Sequence, residues 1–340
     1  MSGRSLCSIA LLGVAALAAA PIAFADDYRI SGPYTHDNLS LYLIHGASKP
    51  IKPAGKYLTL QEALDQKKVV VYETGNVNEL SIENLGNMDV YIQSGDIVKG
   101  GRQDRVFPDD YILQTRSGKV PINAFCVEHG RWTGRGSESS EHFSASNQAL
   151  PNKSLKIAAR SGSQSQQKVW DEVEKTNRDL AVSSGYVSAD APPSQSPTSM
   201  QMALENKKVS EATNGYIDAL SRVVDGRDDV VGYAFAVNGN LNSADIYASH
   251  DMFVRMWPKL LRASAVEALT DRKSAGKFAP PEPAAVTRLM SRADDASAAK
   301  TKDVANRVVE VTKESDKVVE YETRDRKADG TWVHKSIVVK

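Results

Sequence analysis

Between residues 28 and 132 the chain is cut into short strand-like stretches, 39–44, 69–73, 79–83, 90–93, 97–99, 111–115 and 120–127, the first of them mostly apolar. They are separated by Gly75, Gly86, Ser94-Gly95, Gly100-Gly101 and Ser117-Gly118. None is long enough for a stable helix, and closely spaced runs with turn residues between them read as strands of a β-sandwich or a partly open barrel. One interruption is expected. In the stretch from Thr59 to Glu62 the threonine hydroxyl can accept from the backbone while the glutamate reaches back, a capping box that predicts a short helix over 60–66.

The pattern changes after Trp132. Residues 133–163 are rich in Gly, Ser, Asn and Gln and read as a loop. Val169, Val173 and Leu180, with Trp170 beside them, recur at helical spacing, and 183–199 reads as a flexible connector. Ala212, Tyr216, Leu220 and Val223 mark another amphipathic helix. Runs at 230–237 and 241–247 flank Asn238-Gly239-Asn240, a hairpin signal because both turn positions tolerate positive φ. Ser249 should cap a helix carrying Phe253, Met256, Trp257, Leu260, Leu261, Ala265 and Leu269, in which Pro258 predicts a kink or a fresh start. Residues 272–303 contain the breaker Pro280-Pro281-Glu282-Pro283, and 308–311, 318–323 and 332–339 read as a β-meander with a turn near Asp329-Gly330. The fold class is α+β, with three stretches. A β-rich subdomain covers 26–135, a helix–hairpin–helix subdomain over 136–271 packs on it as one domain, and a linker with the meander covers 272–340.

Arg4, the apolar run 9–20, Pro21 and then Ala23-Phe24-Ala25 have the form of a secretory signal peptide over 1–25, cleaved after Ala25. The expectation is a periplasmic or secreted protein, with no stable membrane insertion after cleavage. Processing removes Cys7 and leaves Cys126 alone, so no intrachain disulfide can form even in an oxidising compartment. Stability must then come from packing. The 42 Lys+Arg balance 42 Asp+Glu, so no global field draws the chain to nucleic acid, and any cationic site is local.

The most suggestive local site lies in the stretch from Gly95 to Arg105. Gly95 and Gly100 have P-loop spacing, but Gly101-Arg102-Gln103 follows in place of Lys-Ser/Thr and no helix opens there, so this is not a nucleotide loop. What remains is a Gly-Gly corner after a strand. Its N–H groups can face an anion while Arg102 and Arg105 add charge-assisted contacts. The alternative is a β-bulge whose arginines pair with Asp96, Asp104, Asp109 or Asp110. A second corner holds Glu128, His129, Gly130, Arg131 and Trp132, with Trp132 offering a stacking plate or simply covering a sheet edge. Alternation along 120–127 places Val120, Ile122, Ala124 and Cys126 on one face, which implies a buried, unreactive thiol. His129 or His142 could serve as bases only if the fold brought them close. No H-E-x-x-H or G-x-S-x-G occurs, one cysteine cannot build a thiolate zinc site, and no cofactor motif is visible.

The motifs Tyr57-Leu58-Thr59-Leu60, Val77-Asn78-Glu79-Leu80, Gly95 to Arg105 and Cys126 to Trp132, with Val231-Gly232, Phe253 and Trp257 to Leu261, resemble the ARG and rhodanese-phosphatase-superfamily-associated protein domain over roughly 28–270. The resemblance implies no established activity. The family name implies association with ADP-ribosylglycohydrolases and phosphatase-like proteins, hence ligands of the nucleotide or ADP-ribose type. It also groups Gly100, Gly101, Arg102, Gln103, Arg105, Glu128, Arg131 and Trp132 into one site without giving any of them a role.

Three functions are carried forward. The first is binding of an anionic small molecule, a glycan or a peptide terminus in a pocket made by the Gly-Gly-Arg and Gly-Arg-Trp corners. The second is a hydrolase with Glu128 or Glu79 as general acid/base and His129 assisting. The third is a structural, protein-interaction domain whose partner the sequence does not name.

Overall fold

The computed structural model describes residues 28–46, 55–160, 165–185, 196–272, 278–294, 299–305 and 307–340. The signal peptide read over 1–25, and 186–195 of the expected connector, lie outside them. The strands in chain order are β1 (Arg29–His36), β2 (Leu39–His45), β3 (Tyr57–Thr59), β4 (Val69–Asn76), β5 (Glu79–Asn84) and β6 (Asp89–Ile92). Next come β7 (Asp96–Gly100), β8 (Arg105–Val106), β9 (Tyr111–Leu113), β10 (Gly118–Asn123), β11 (Phe125–Cys126) and β12 (Phe143–Ala149). The last six are β13 (Val230–Val237), β14 (Asn240–Tyr247), β15 (Ala299–Val304), β16 (Val308–Glu314), β17 (Val318–Asp325) and β18 (Thr331–Val339). The helices are α1 (Leu60–Asp65), α2 (Lys153–Arg160), α3 (Ser165–Ser184), α4 (Met200–Glu205), α5 (Lys207–Leu220), α6 (His250–Thr270) and α7 (Pro283–Asp294). The fold is α+β, as the mixture of periods predicts.

The principal sheet has eight strands in the order β1-β2-β13-β14-β18-β17-β16-β15. The three stretches delimited at 135 and 271 therefore share one sheet: β2 pairs with β13, and β14 with β18. β2 is buried along its whole length, as its mostly apolar sequence requires, with Ser40 and His45 as its buried polar residues. Leu39, Leu41 and Leu43 face the core that α6 covers with Phe253, Met256 and Trp257. Tyr42 and Ile44 face the opposite side, under Val286, Leu289, Met290 and Ala293 of α7. Three smaller sheets, β10-β5-β4, β11-β8-β7-β12 and β3-β6-β9, make up the rest of the β-rich part.

Local signals hold where side chain and backbone act together. Thr59 accepts from the Glu62 N–H and Glu62 accepts from the Thr59 N–H, forming the capping box on α1. Ser249 caps α6, and Asn238 and Gly239 both take positive φ in the β13–β14 hairpin. Four expectations need correction. The 133–163 loop contains β12 and α2; β12 is held by pairing with β7, and α2 by burial of Leu155, Ala158 and Ala159. The 272–303 linker contains α7 and β15. Pro283, read as part of a breaker, is the first residue of α7, where its missing N–H costs nothing. The single strand over 120–127 is two, because the chain leaves β5 after β10 and joins β8 as β11. Of the two outcomes expected at Pro258, the fresh start is excluded, because the proline lies inside the continuous helix α6. Among the described residues no helix is long and apolar enough to cross a membrane.

Candidate functional site

The Gly-Gly corner is built by β7 ending at Gly100 and turning back into β8. Gly100 has φ 111° and Gly101 φ 54°, and a Cβ on Gly101 would lie 2.2 Å from the Phe143 ring. Glycine is therefore required by both backbone and packing, whatever binds there. The second corner does fold against the first. Arg131 donates from Nη1 to the Gly101 carbonyl at 3.1 Å and from Nη2 to the Gly100 carbonyl at 3.3 Å.

That convergence uses up most of the charge expected to be available. Arg131 forks onto Glu128, with Nε to Oε1 at 2.7 Å and Nη2 to Oε2 at 2.8 Å, and Glu128 Oε2 also accepts the Asp104 N–H at 3.1 Å. Asp104 is held by Arg135 through Oδ2 at 2.7 Å and Oδ1 at 3.1 Å, and by the Ser199 hydroxyl at 2.7 Å. Arg105 is fully buried and donates to the Gln103 carbonyl at 2.8 Å and to Glu73 at 3.4 Å. The corner is thus a clasp of alternating arginines and carboxylates. The aspartates named as alternative partners of Arg102 and Arg105 go elsewhere: Asp104 takes Arg135 and Arg131, Asp96 takes Lys259 and Asp109 takes Lys302, while Arg105 takes Glu73. Arg135 and Glu73 escaped the sequence reading because one sits in a Gly/Ser-rich loop and the other thirty positions upstream.

What stays open is smaller. The Arg102 side chain is exposed, its guanidinium carbon 5.6 Å from the centroid of Trp132, which is 40% exposed. Arg105 lies 5.8 Å from the same ring, and its Nε has no hydrogen-bond partner among the described residues. Gln103 is buried. His129 turns away from the arginines, its ring edge-on to Trp170 at 4.6 Å on the rim of a separate groove along α3. Glu79 opens β5, opposite Asn123 and Asn76. Cys126 is buried as expected, and burial pushes its thiol up to about 11.

A second polar centre was not anticipated. His334 of β18 lies between two buried carboxylates, with Nδ1 2.8 Å from Asp110 and Nε2 3.1 Å from Asp245. Asp110 also accepts from Tyr91, Thr323, the Ser94 N–H and Arg160. Burial alone would lower the His334 pKa, but the two carboxylates outweigh it and raise the imidazole to about 9. Burial alone would likewise raise Asp110, but His334 and Arg160 hold it well below the usual carboxylate range. The participants lie in β6, the β6–β7 turn, the β8–β9 turn, α2, β14, β17 and β18, so no spacing in the sequence announces them. Among the described residues, no group of three or more His, Cys, Asp or Glu could hold a metal ion.

A family model, described as ARG and Rhodanese-Phosphatase-superfamily-associated Protein domain, matches residues 27–338, and so extends past 270 through β15–β18. No curated protein and no solved structure matches the chain.

Proposed function

The chain belongs to the ARG and Rhodanese-Phosphatase-superfamily-associated Protein domain family, and from that premise and the geometry of the corner we propose that it is an exported protein binding an anionic ligand. The supporting observation is the exposed Arg102 guanidinium beside the exposed Trp132 ring, on a rigid clasp that holds both corners in place. A phosphorylated or carboxylated small molecule, an acidic glycan or a peptide terminus can offer charge to Arg102 and a flat face to the indole. Glu73, Asp104 and Glu128 are each held by several donors, an arrangement suited to fixing arginines and poorly suited to moving protons. This favours binding over acid–base chemistry at the corner.

A thermal-shift panel of inorganic phosphate, citrate, ADP-ribose and glucuronate tests the reading. At ligand concentrations about 100 times Kd, binding adds about 2.7 kcal/mol of stability. At least one anion should raise the melting temperature of the wild type and leave Arg102→Ala and Trp132→Ala unmoved. Equal shifts in all three proteins, or none in any, would overturn it. For export, N-terminal sequencing of protein recovered outside the cytoplasm should begin at Asp26; recovery of the intact Met1 form would contradict cleavage.

A further inference from the structure

A cleft of about 370 Å3 is lined by Asp109 but by neither Asp110 nor His334. Five separated segments line it: Asn78 between β4 and β5, Pro108 and Asp109 between β8 and β9, Asn123 and Phe125 around the β10–β11 break, Ala159 and Arg160 at the end of α2, and Lys302 on β15. Adjacent aspartates point to different tasks. Asp110 serves the buried histidine, whereas Asp109 receives Lys302 Nζ on both oxygens at 2.8 and 2.9 Å. The Asp109 side chain is only 1% exposed, while that of Lys302 is 52% exposed, so the buried carboxylate is paired with a long, solvated cation that can swing away. The Arg160 guanidinium is already committed to Ser94, Asp110 and Glu310 and stacks over Tyr321, so it shapes the wall and offers no free charge. Asn78 and Asn123 are both exposed, and among the described residues neither amide side chain has a hydrogen-bond partner.

These features decide the ligand class. A free anion finds here a lysine already neutralised by Asp109, and a free cation must compete with that lysine. Neutral hydroxyls suit the lining better: each amide supplies one donor group and one acceptor, the Asp109–Lys302 pair supplies both at one point, and Phe125 with Pro108 supplies apolar surface for a C–H face. The volume lies in the range of small-ligand sites. We propose that this cleft is a binding site for a neutral, hydroxyl-rich ring, that is, a carbohydrate. It is separate from the Arg102–Trp132 shelf, shares no residue with it and does not depend on it.

The full chain is titrated by calorimetry with glucose, galactose, mannose, N-acetylglucosamine, maltose and cellobiose, with glycine and inorganic phosphate as separate arms. One neutral sugar should bind saturably. The double variant Asn78→Ala/Asn123→Ala, which alters two exposed side chains, should bind it at least roughly tenfold more weakly, and Arg102→Ala should bind it as the wild type does. Melting temperatures establish that each variant is folded. Absence of saturable sugar binding, a response to glycine or phosphate alone, or sugar affinity unchanged in the double variant each overturns the proposal.

Discussion

Replacing His334 with leucine should destabilise the protein by about 3–5 kcal/mol, because it leaves Asp110 and Asp245 buried without their shared cation. For a chain of this size that corresponds to a fall in melting temperature on the order of 10 °C. The pH profile separates this from a simple packing defect. The imidazole pKa is raised to about 9 in the fold from an ordinary 6.5. Its contribution is therefore fully present below pH 6.5 and lost as pH rises through about 9. Asp110 is held low, so its contribution is present above its ordinary 3.8 and lost as pH falls through its folded value. Wild-type stability from denaturant titration should thus be greatest between about pH 4 and 6.5 and decline by on the order of 3 kcal/mol toward pH 9. His334→Leu should flatten that alkaline limb. A wild-type profile level from pH 6.5 to 9 would remove the imidazolium from the account.

Arg131→Ala is expected to be nearly as damaging, at about 3–5 kcal/mol, whereas Arg102→Ala should stay within about 0.5 kcal/mol of the wild type. The contrast follows from what each guanidinium touches. Arg131 is 8% exposed, holds both oxygens of a fully buried Glu128 and bonds the carbonyls of Gly100 and Gly101. Arg102 stacks on one indole in solvent. Adding Glu128→Gln to Arg131→Ala should recover part of the loss by removing the stranded charge. Equal stability of the two single arginine variants in urea titration would show that the clasp does not hold the corner. A practical consequence follows for ligand studies: lost binding in Arg131→Ala reports a damaged corner, and only Arg102 and Trp132 probe the shelf itself.

The sequence was most legible where neighbours along the chain do the work. Thr59 with Glu62, Asn238 with Gly239, and Ser249 before α6 act over two to four residues, and each was readable. Gly100-Gly101 was recognisable as a corner, yet the reason for Gly101 is the Phe143 ring, which β12 brings across from a stretch read as loop. The same limit applies to charge. Arg102, Arg105 and Arg131 were identifiable as a group, but whether each would be spent depended on Glu73, Glu128 and Asp104, and their registers are set by strand pairing. Asp110, His334 and Asp245 were invisible as a set because 135 positions and 89 positions, spanned by most of the fold, separate them in pairs. Composition also misled at α7 and β15. An alanine-, lysine- and proline-rich text looked unstructured, although one face of α7 carries the four side chains that seal the second side of the sheet.

The placement of β18 between β14 and β17 has a bearing on biogenesis. A ribosome delivers β14 well before β18, the strand that completes its hydrogen bonding and brings the histidine to its two aspartates. Until β18 has been made, one edge of β14 lacks its neighbour, and Asp110 and Asp245 lack the imidazole that lies between them in the fold.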